Sequence, residues 1–126
     1  MQVAVTLPAS DIERARAWYS SIMQLEPVEV TPQGDLWYAG ENGRFMVYAS
    51  QFAGTNQATA AAFGVADVEA TVAELRARGA VFESYDFGEE LRTVDGIFTT
   101  PDGDKLAWLK DSEGNILNIG PTRPLT

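Results

Sequence analysis

The chain has 126 residues, with 9 basic side chains against 18 acidic ones, a formal net charge of −9, and neither histidine nor cysteine. That length suits one domain, and a hydrophobic fraction of 45% is too high for a disordered chain. The two missing residue types exclude disulfides, thiolate nucleophiles, Ser–His–Asp triads and imidazole- or thiolate-bound metals, while the acidic surplus repels phosphate backbones and excludes nucleic acid as an expected partner.

In chain order, residues 2–7 form a short apolar run, read as a strand. Asp11 follows, with the right chemistry to cap a helix. Ile12, Ala15, Trp18, Tyr19, Ile22 and Met23 behind it build one apolar stripe at helical spacing. Strand-like segments are expected at 27–30, 35–40 and 44–50. Residues 51–58, polar and glycine-containing, read as a connection. A second apolar run at 59–65 leads into Asp67, again a capping residue. Val68, Val72 and Leu75 mark a second helix, and Gly79 is placed to close it. Further strands are expected at 80–85, 96–100, 105–110 and 116–120. The sequences Pro101-Asp102-Gly103-Asp104 and Asp111-Ser112-Glu113-Gly114-Asn115 are turn signals.

The order strand, helix, strands therefore occurs twice. Laying Asp11 on Asp67 pairs Leu7 with Phe63, Ile12 with Val68 and Glu13 with Glu69, a weak internal repeat. Half of this chain is too short for a good core, so both halves are expected in one domain. Side chains alternate along a strand. Val3, Val5 and Leu7 share one face, as do Ala61, Phe63 and Val65, and these faces are expected to pack on the helices. The opposite faces carry Ala4, Thr6, Ala60 and Ala62, small residues that leave a hollow or allow close packing.

This pattern resembles the vicinal oxygen chelate superfamily, which includes glyoxalase I, bleomycin resistance proteins and extradiol dioxygenases. The residues that carry the likeness are Leu7-Pro8-Ala9-Ser10-Asp11-Ile12-Glu13-Arg14-Ala15 with Trp18-Tyr19, then Phe63-Gly64-Val65-Ala66-Asp67-Val68 and Leu75-Arg76-Ala77-Arg78-Gly79. The last is Asp111-Ser112-Glu113-Gly114-Asn115, close to the family's D-P-D-G-N turn with Ser in place of Pro. The resemblance implies an α+β fold. Two βαβββ modules, about 1–52 and 58–121 of a single domain over 1–126, would form a curved mixed sheet around a cavity. It also implies a homodimer.

In the family's enzymes four side chains at the cavity floor hold a divalent metal. Carried over through the matching motifs, the first-strand positions fall on Ala4 and Ala60, and the position after the last turn falls on Asn118. The fourth lies near Met46 or Tyr48. Alanine has no donor atom, and one neutral amide oxygen does not hold a catalytic divalent ion against water. No metal or other cofactor is therefore expected. The resemblance then implies a metal-free, bleomycin-resistance-like protein that binds or sequesters a small hydrophobic or aromatic molecule such as an antibiotic.

Such a pocket needs aromatic platforms and a few polar groups. The candidate ligand-binding residues are Trp37, Tyr38, Met46, Tyr48, Phe52, Ala60, Phe98, Trp108 and Asn118. The acidic balance favours a cationic ligand by steering. The alternative is a metal-independent lyase or isomerase that uses Tyr48 or a carboxylate as its acid–base group. The loop 86–92, with Phe87, Gly88 and Glu89, is either a lid or a solvated acidic loop. No apolar run approaches the ~18 residues of a membrane span, and no charged n-region precedes an apolar stretch at the start. A cytoplasmic location is expected.

Overall fold

An aspartate opens each helix. Asp11 holds extended backbone, and its carboxylate accepts the Arg14 N–H at 3.0 Å, starting α1, Ile12–Ser21. Asp67 does the same for the Ala70 N–H at 3.0 Å, starting α2, Val68–Ala77. Each bond satisfies an N–H that the first helical turn leaves without a partner. Gly79, at a φ of 108°, follows α2 in the left-handed conformation that glycine adopts without cost.

The structure, a computed structural model, describes residues 1–123. Its strands are β1, Val5–Ala9; β2, Glu29–Val30; β3, Leu36–Ala39; β4, Arg44–Ala49; β5, Thr59–Val65; β6, Ile97–Thr99; β7, Lys105–Lys110; and β8, Ile116–Pro121. They form two four-stranded sheets, ordered β1-β4-β3-β2 and β5-β8-β7-β6. In the first, β1 runs parallel to β4, and β3 is antiparallel to both β4 and β2. In the second, β6 and β7 are antiparallel. The fold is α+β, with two modules of like structure. The chain divides into two compact units, one of residues 1–61 with 111–116, the other of residues 62–110 with the segment from Leu117 onward.

In the first unit the register stacks Leu7, Val47 and Leu36 in one row and Val5, Phe45 and Tyr38 in the next. On this face lies the Tyr19 ring of α1, with centroids 5.5 Å from both Tyr38 and Phe45. Ala15, Tyr19 and Ile22 are buried, as the helical stripe requires. The stripe thus works as expected, but its reach along β1 is shorter. Leu7 and Ala9 are fully buried, whereas Val5 is 38% and Val3 83% exposed. A helix of ten residues is about 15 Å long, and it gives out before the start of the apolar run.

In the second unit α2 packs against β7. Lys105 of β7 reaches Glu69 of α2 at 3.9 Å, so the helix-facing residues of β7 are the odd-numbered ones. Ala107 and Leu109 on that face are fully buried, as are Val72 and Leu75 of α2. The strand expected at 80–85 does not form. Phe82 makes an isolated antiparallel bridge with Leu109, and the Glu83 N–H donates to the Trp108 carbonyl at 2.7 Å. Burial does alternate there, since Phe82 is buried and Val81 is 81% exposed. Alternation reports burial, however, and not whether a neighbour lies alongside for a full ladder.

Candidate functional site

The face of the first sheet turned away from α1 carries a row set by register: Thr6 beside Met46, Met46 beside Trp37, and Trp37 beside Glu29. Facing neighbours in adjacent strands stand about 5 Å apart, so indole, thioether and carboxylate form one continuous strip. Tyr48 follows Met46 on the same face, next to Pro8. Trp37, Met46 and Tyr48 are half-buried. An open concavity of about 830 Å³ lies at one end of this face, bounded by Ala4, Glu29, Trp37, Ala39 and the turn 40–43 with Arg44. Two carboxylates, Glu29 and Glu41, and one guanidinium, Arg44, ring it.

Of the residues expected at the site, Trp37, Met46 and Tyr48 are thus brought together. Tyr38 does not join them. It is fully buried on the α1 side, its ring stacked on Phe45 with centroids 4.7 Å apart. Burial pushes its hydroxyl up to about 12, and among the described residues that hydroxyl has no hydrogen-bond partner. Phe52 is 66% exposed in the turn after β4. Ala60 is half-buried on β5.

In the second unit Phe98 and Leu106 are register partners on the face away from α2. Trp108 lies on the same side by alternation, its ring edge-on to Tyr85 at 5.6 Å. The Asn118 amide donates to the Ala107 carbonyl at 3.4 Å. A further concavity of about 490 Å³ borders Phe98, Ile97 and Thr99, with Arg92 and Lys105 on its wall. Both cations are engaged: Arg92 with Asp86 at 3.2 Å and Lys105 with the Thr99 hydroxyl at 2.8 Å. The loop 86–92 is a small hairpin, closed by that Arg92–Asp86 pair and by the Phe87 N–H donating to the Leu91 carbonyl at 2.7 Å. Its Glu89 and Glu90 are exposed.

From its sequence, 111–115 reads as a turn that also carries part of the family resemblance. The structure makes it a buried polar network in the first unit. Asp111, Glu113 and Asn115 are all buried. The Tyr19 hydroxyl donates to Asp111 at 2.7 Å, and the Asn115 amide donates to Asp111 and to the Pro8 carbonyl, each at 2.9 Å. Glu113 accepts the Arg14 guanidinium on both oxygens at 2.8 and 3.0 Å, the Asp11 N–H at 2.9 Å and the Ser112 hydroxyl at 2.8 Å. Burial alone would raise this carboxyl, but those donors outweigh it and hold it down at about 2. Burial, reinforced by Asp111, drives the Tyr19 hydroxyl well above its ordinary value.

The sequence model of the Glyoxalase/Bleomycin resistance protein/Dioxygenase superfamily matches residues 2–119. The chain belongs to that superfamily. No curated protein matches it. Among solved structures it is similar to UcmS2, with 15% identity, a TM-score of 0.73 and coverage of 97% of this chain and 98% of that one. It is also similar to a bleomycin resistance determinant encoded on the transposon Tn5, at 15% identity and TM-score 0.72, covering 98% and 99% of the two chains. A lactoylglutathione lyase from Agrobacterium tumefaciens gives 17% identity and TM-score 0.71, with 96% and 92% covered. Identities this low speak for the fold alone.

The superfamily's metal can be tested against the residues present. Ala4 and Ala60 offer no donor atom, and the Asn118 amide nitrogen donates to a backbone carbonyl, which leaves one neutral oxygen to face an ion. Among the described residues, no three His, Cys, Asp or Glu side chains stand close enough to share an ion. Hard divalent ions require several oxygen ligands. These positions do not fit a divalent metal ion. Among the described residues, no helix is long and apolar enough to cross a membrane.

Proposed function

We propose that this superfamily member binds a small, flat, apolar or aromatic molecule, of the kind exemplified by an antibiotic, without a metal ion. The observation that carries the reading is the strip Thr6–Met46–Trp37–Glu29 beside an open concavity. An indole platform flanked by a carboxylate suits a ligand with a flat ring and positive charge, through stacking and cation–π attraction. The net charge of −9 steers the same kind of ligand. Tyr48 extends the platform, and Ala4 and Ala39 leave it uncovered. The reading takes residues 1–126 as one cytoplasmic binding domain acting as a homodimer, with Ala60, Phe98, Trp108 and Asn118 as further candidate contacts.

Fluorescence titration with a panel of planar aromatic cations tests this. Saturable quenching is expected in the wild type. Trp37→Ala should weaken binding about tenfold or more, since a desolvated cation–π contact is worth up to ~2 kcal/mol. Phe52→Ala should leave binding unchanged. No response from the panel, or affinity that survives Trp37→Ala, refutes the site. A stoichiometric, tightly bound metal in the purified protein refutes the metal-free reading. A second reading, metal-independent acid–base catalysis, draws on the half-buried Tyr48 on the same face. It requires turnover that Tyr48→Phe abolishes.

A further inference from the structure

The turn between β3 and β4 carries Asn42 followed by Gly43, an arrangement that the binding reading does not use. Both residues are exposed and border the larger concavity. The hydrogen bond across the turn runs from the Gly40 N–H to the Gly43 carbonyl at 2.8 Å. It engages the oxygen of Gly43 and leaves its nitrogen free: among the described residues none accepts the Gly43 N–H. A Cβ placed on Gly43 would meet nothing within 4 Å, so the backbone there has room to turn, and glycine tolerates the conformations that turning requires.

From this geometry we infer that Asn42 is a site of spontaneous deamidation in the folded protein. The Gly43 backbone nitrogen attacks the Asn42 side-chain carbonyl carbon, Cγ. A C–N bond forms, the bond from Cγ to the side-chain amide nitrogen breaks, and ammonia leaves with the proton lost by Gly43. Water then opens the cyclic imide at either carbonyl. The product is an aspartate or an isoaspartate at that position. No electron changes hands, and water is the only co-reactant.

The other asparagines lack the combination. Asn56, Asn115 and Asn118 are followed by Gln57, Ile116 and Ile119, whose side chains obstruct the attack. The Asn115 amide is buried and held by Pro8 and Asp111. Asn118 lies within β8. Asn42 is also the asparagine whose conversion would alter the concavity. It would set a third carboxylate beside Glu29 and Glu41 against the single Arg44, strengthening the hold on cations. This last consequence rests on the binding reading, whereas the chemistry does not.

The native protein is incubated in mildly alkaline buffer, separated by anion exchange and mapped by peptide mass spectrometry, beside a urea-unfolded sample. The expected result is a later-eluting, more acidic form whose change maps to Asn42 in the native sample. It should be lost in Asn42→Gln and in Gly43→Ala. Conversion only in the unfolded sample, conversion in neither, or a change mapping to Asn56, Asn115 or Asn118 overturns the assignment. The two separated forms are then titrated with one aromatic cation at low salt. Tighter binding by the acidic form is expected, and equal binding overturns the link to the concavity while leaving the deamidation site in place.

Discussion

The sharpest prediction concerns Glu113→Gln. The native carboxylate is fully buried and accepts a two-point pair from Arg14, the Asp11 N–H and the Ser112 hydroxyl. Its folded-state value of about 2, against an ordinary 4.5, stabilises the folded protein by ~3 kcal/mol at neutral pH, at about 1.4 kcal/mol for each pH unit between the two. Because the folded value is the lower one, this contribution is complete above pH 4.5 and is lost as pH falls toward about 2. Glutamine keeps the shape but removes the charge, and it turns an N–H₂ toward groups that are themselves donors. Arg14 keeps 52% of its side chain exposed, so it rehydrates and adds no stranded buried charge to the cost. Urea unfolding followed by tryptophan fluorescence should show the variant less stable by ~3 kcal/mol at pH 7. The gap should close steadily through acid. A gap under about 1 kcal/mol at pH 7, the size of an ordinary surface ion pair, would refute the reasoning. So would a gap of the same size at pH 7 and at pH 3.

Three further variants probe other parts of the fold. Gly114→Ala places a Cβ at 2.8 Å from Gly54 Cα with a φ of 88°; left-handed strain and the backbone clash together should cost ~3 kcal/mol in urea unfolding. Tyr38→Phe removes a buried hydroxyl that has no partner among the described residues, so stability at pH 7 should be unchanged or higher by up to about 1 kcal/mol. Since burial raises that hydroxyl from 10 to about 12, its contribution holds below pH 10 and is lost as pH climbs to about 12; the variant's alkaline melting curve should fall less steeply there. Asp67→Ala deletes the acceptor for the Ala70 N–H and should cost ~1 kcal/mol in thermal or urea unfolding.

The helices were legible because their causes are local. A capping aspartate and its N–H partner lie three residues apart, so the chain itself displays both. The network at 111–115 has no local cause. Turn residues foretell a reversal of direction, but the donors that make Glu113 a buried carboxylate come from Arg14, 99 residues away in sequence. A carboxylate in a turn reads as solvated unless that partner is known. The run at 80–85 failed for a related reason, since a ladder depends on what lies beside the segment and the segment's own pattern records only its burial.

Trp37 and Tyr38 show the limit most directly. Both are aromatic, both sit on β3, and composition gives no ground for separating them. Strand alternation guarantees that they face opposite ways, but it does not say which way is in. That is decided by Tyr19, whose ring lies against Tyr38 and Phe45, and so by the phase of α1 relative to the sheet. With Tyr38 turned inward, Trp37 must point outward, and the pairing of β2 with β3 then puts Glu29 at its side. The carboxylate beside the indole is therefore a consequence of one helix–sheet contact. On the proposed binding reading it would also narrow the ligand: a bare aromatic surface would accept any flat molecule, whereas an indole with an adjacent anion would discriminate in favour of a positively charged one by electrostatics that salt should weaken.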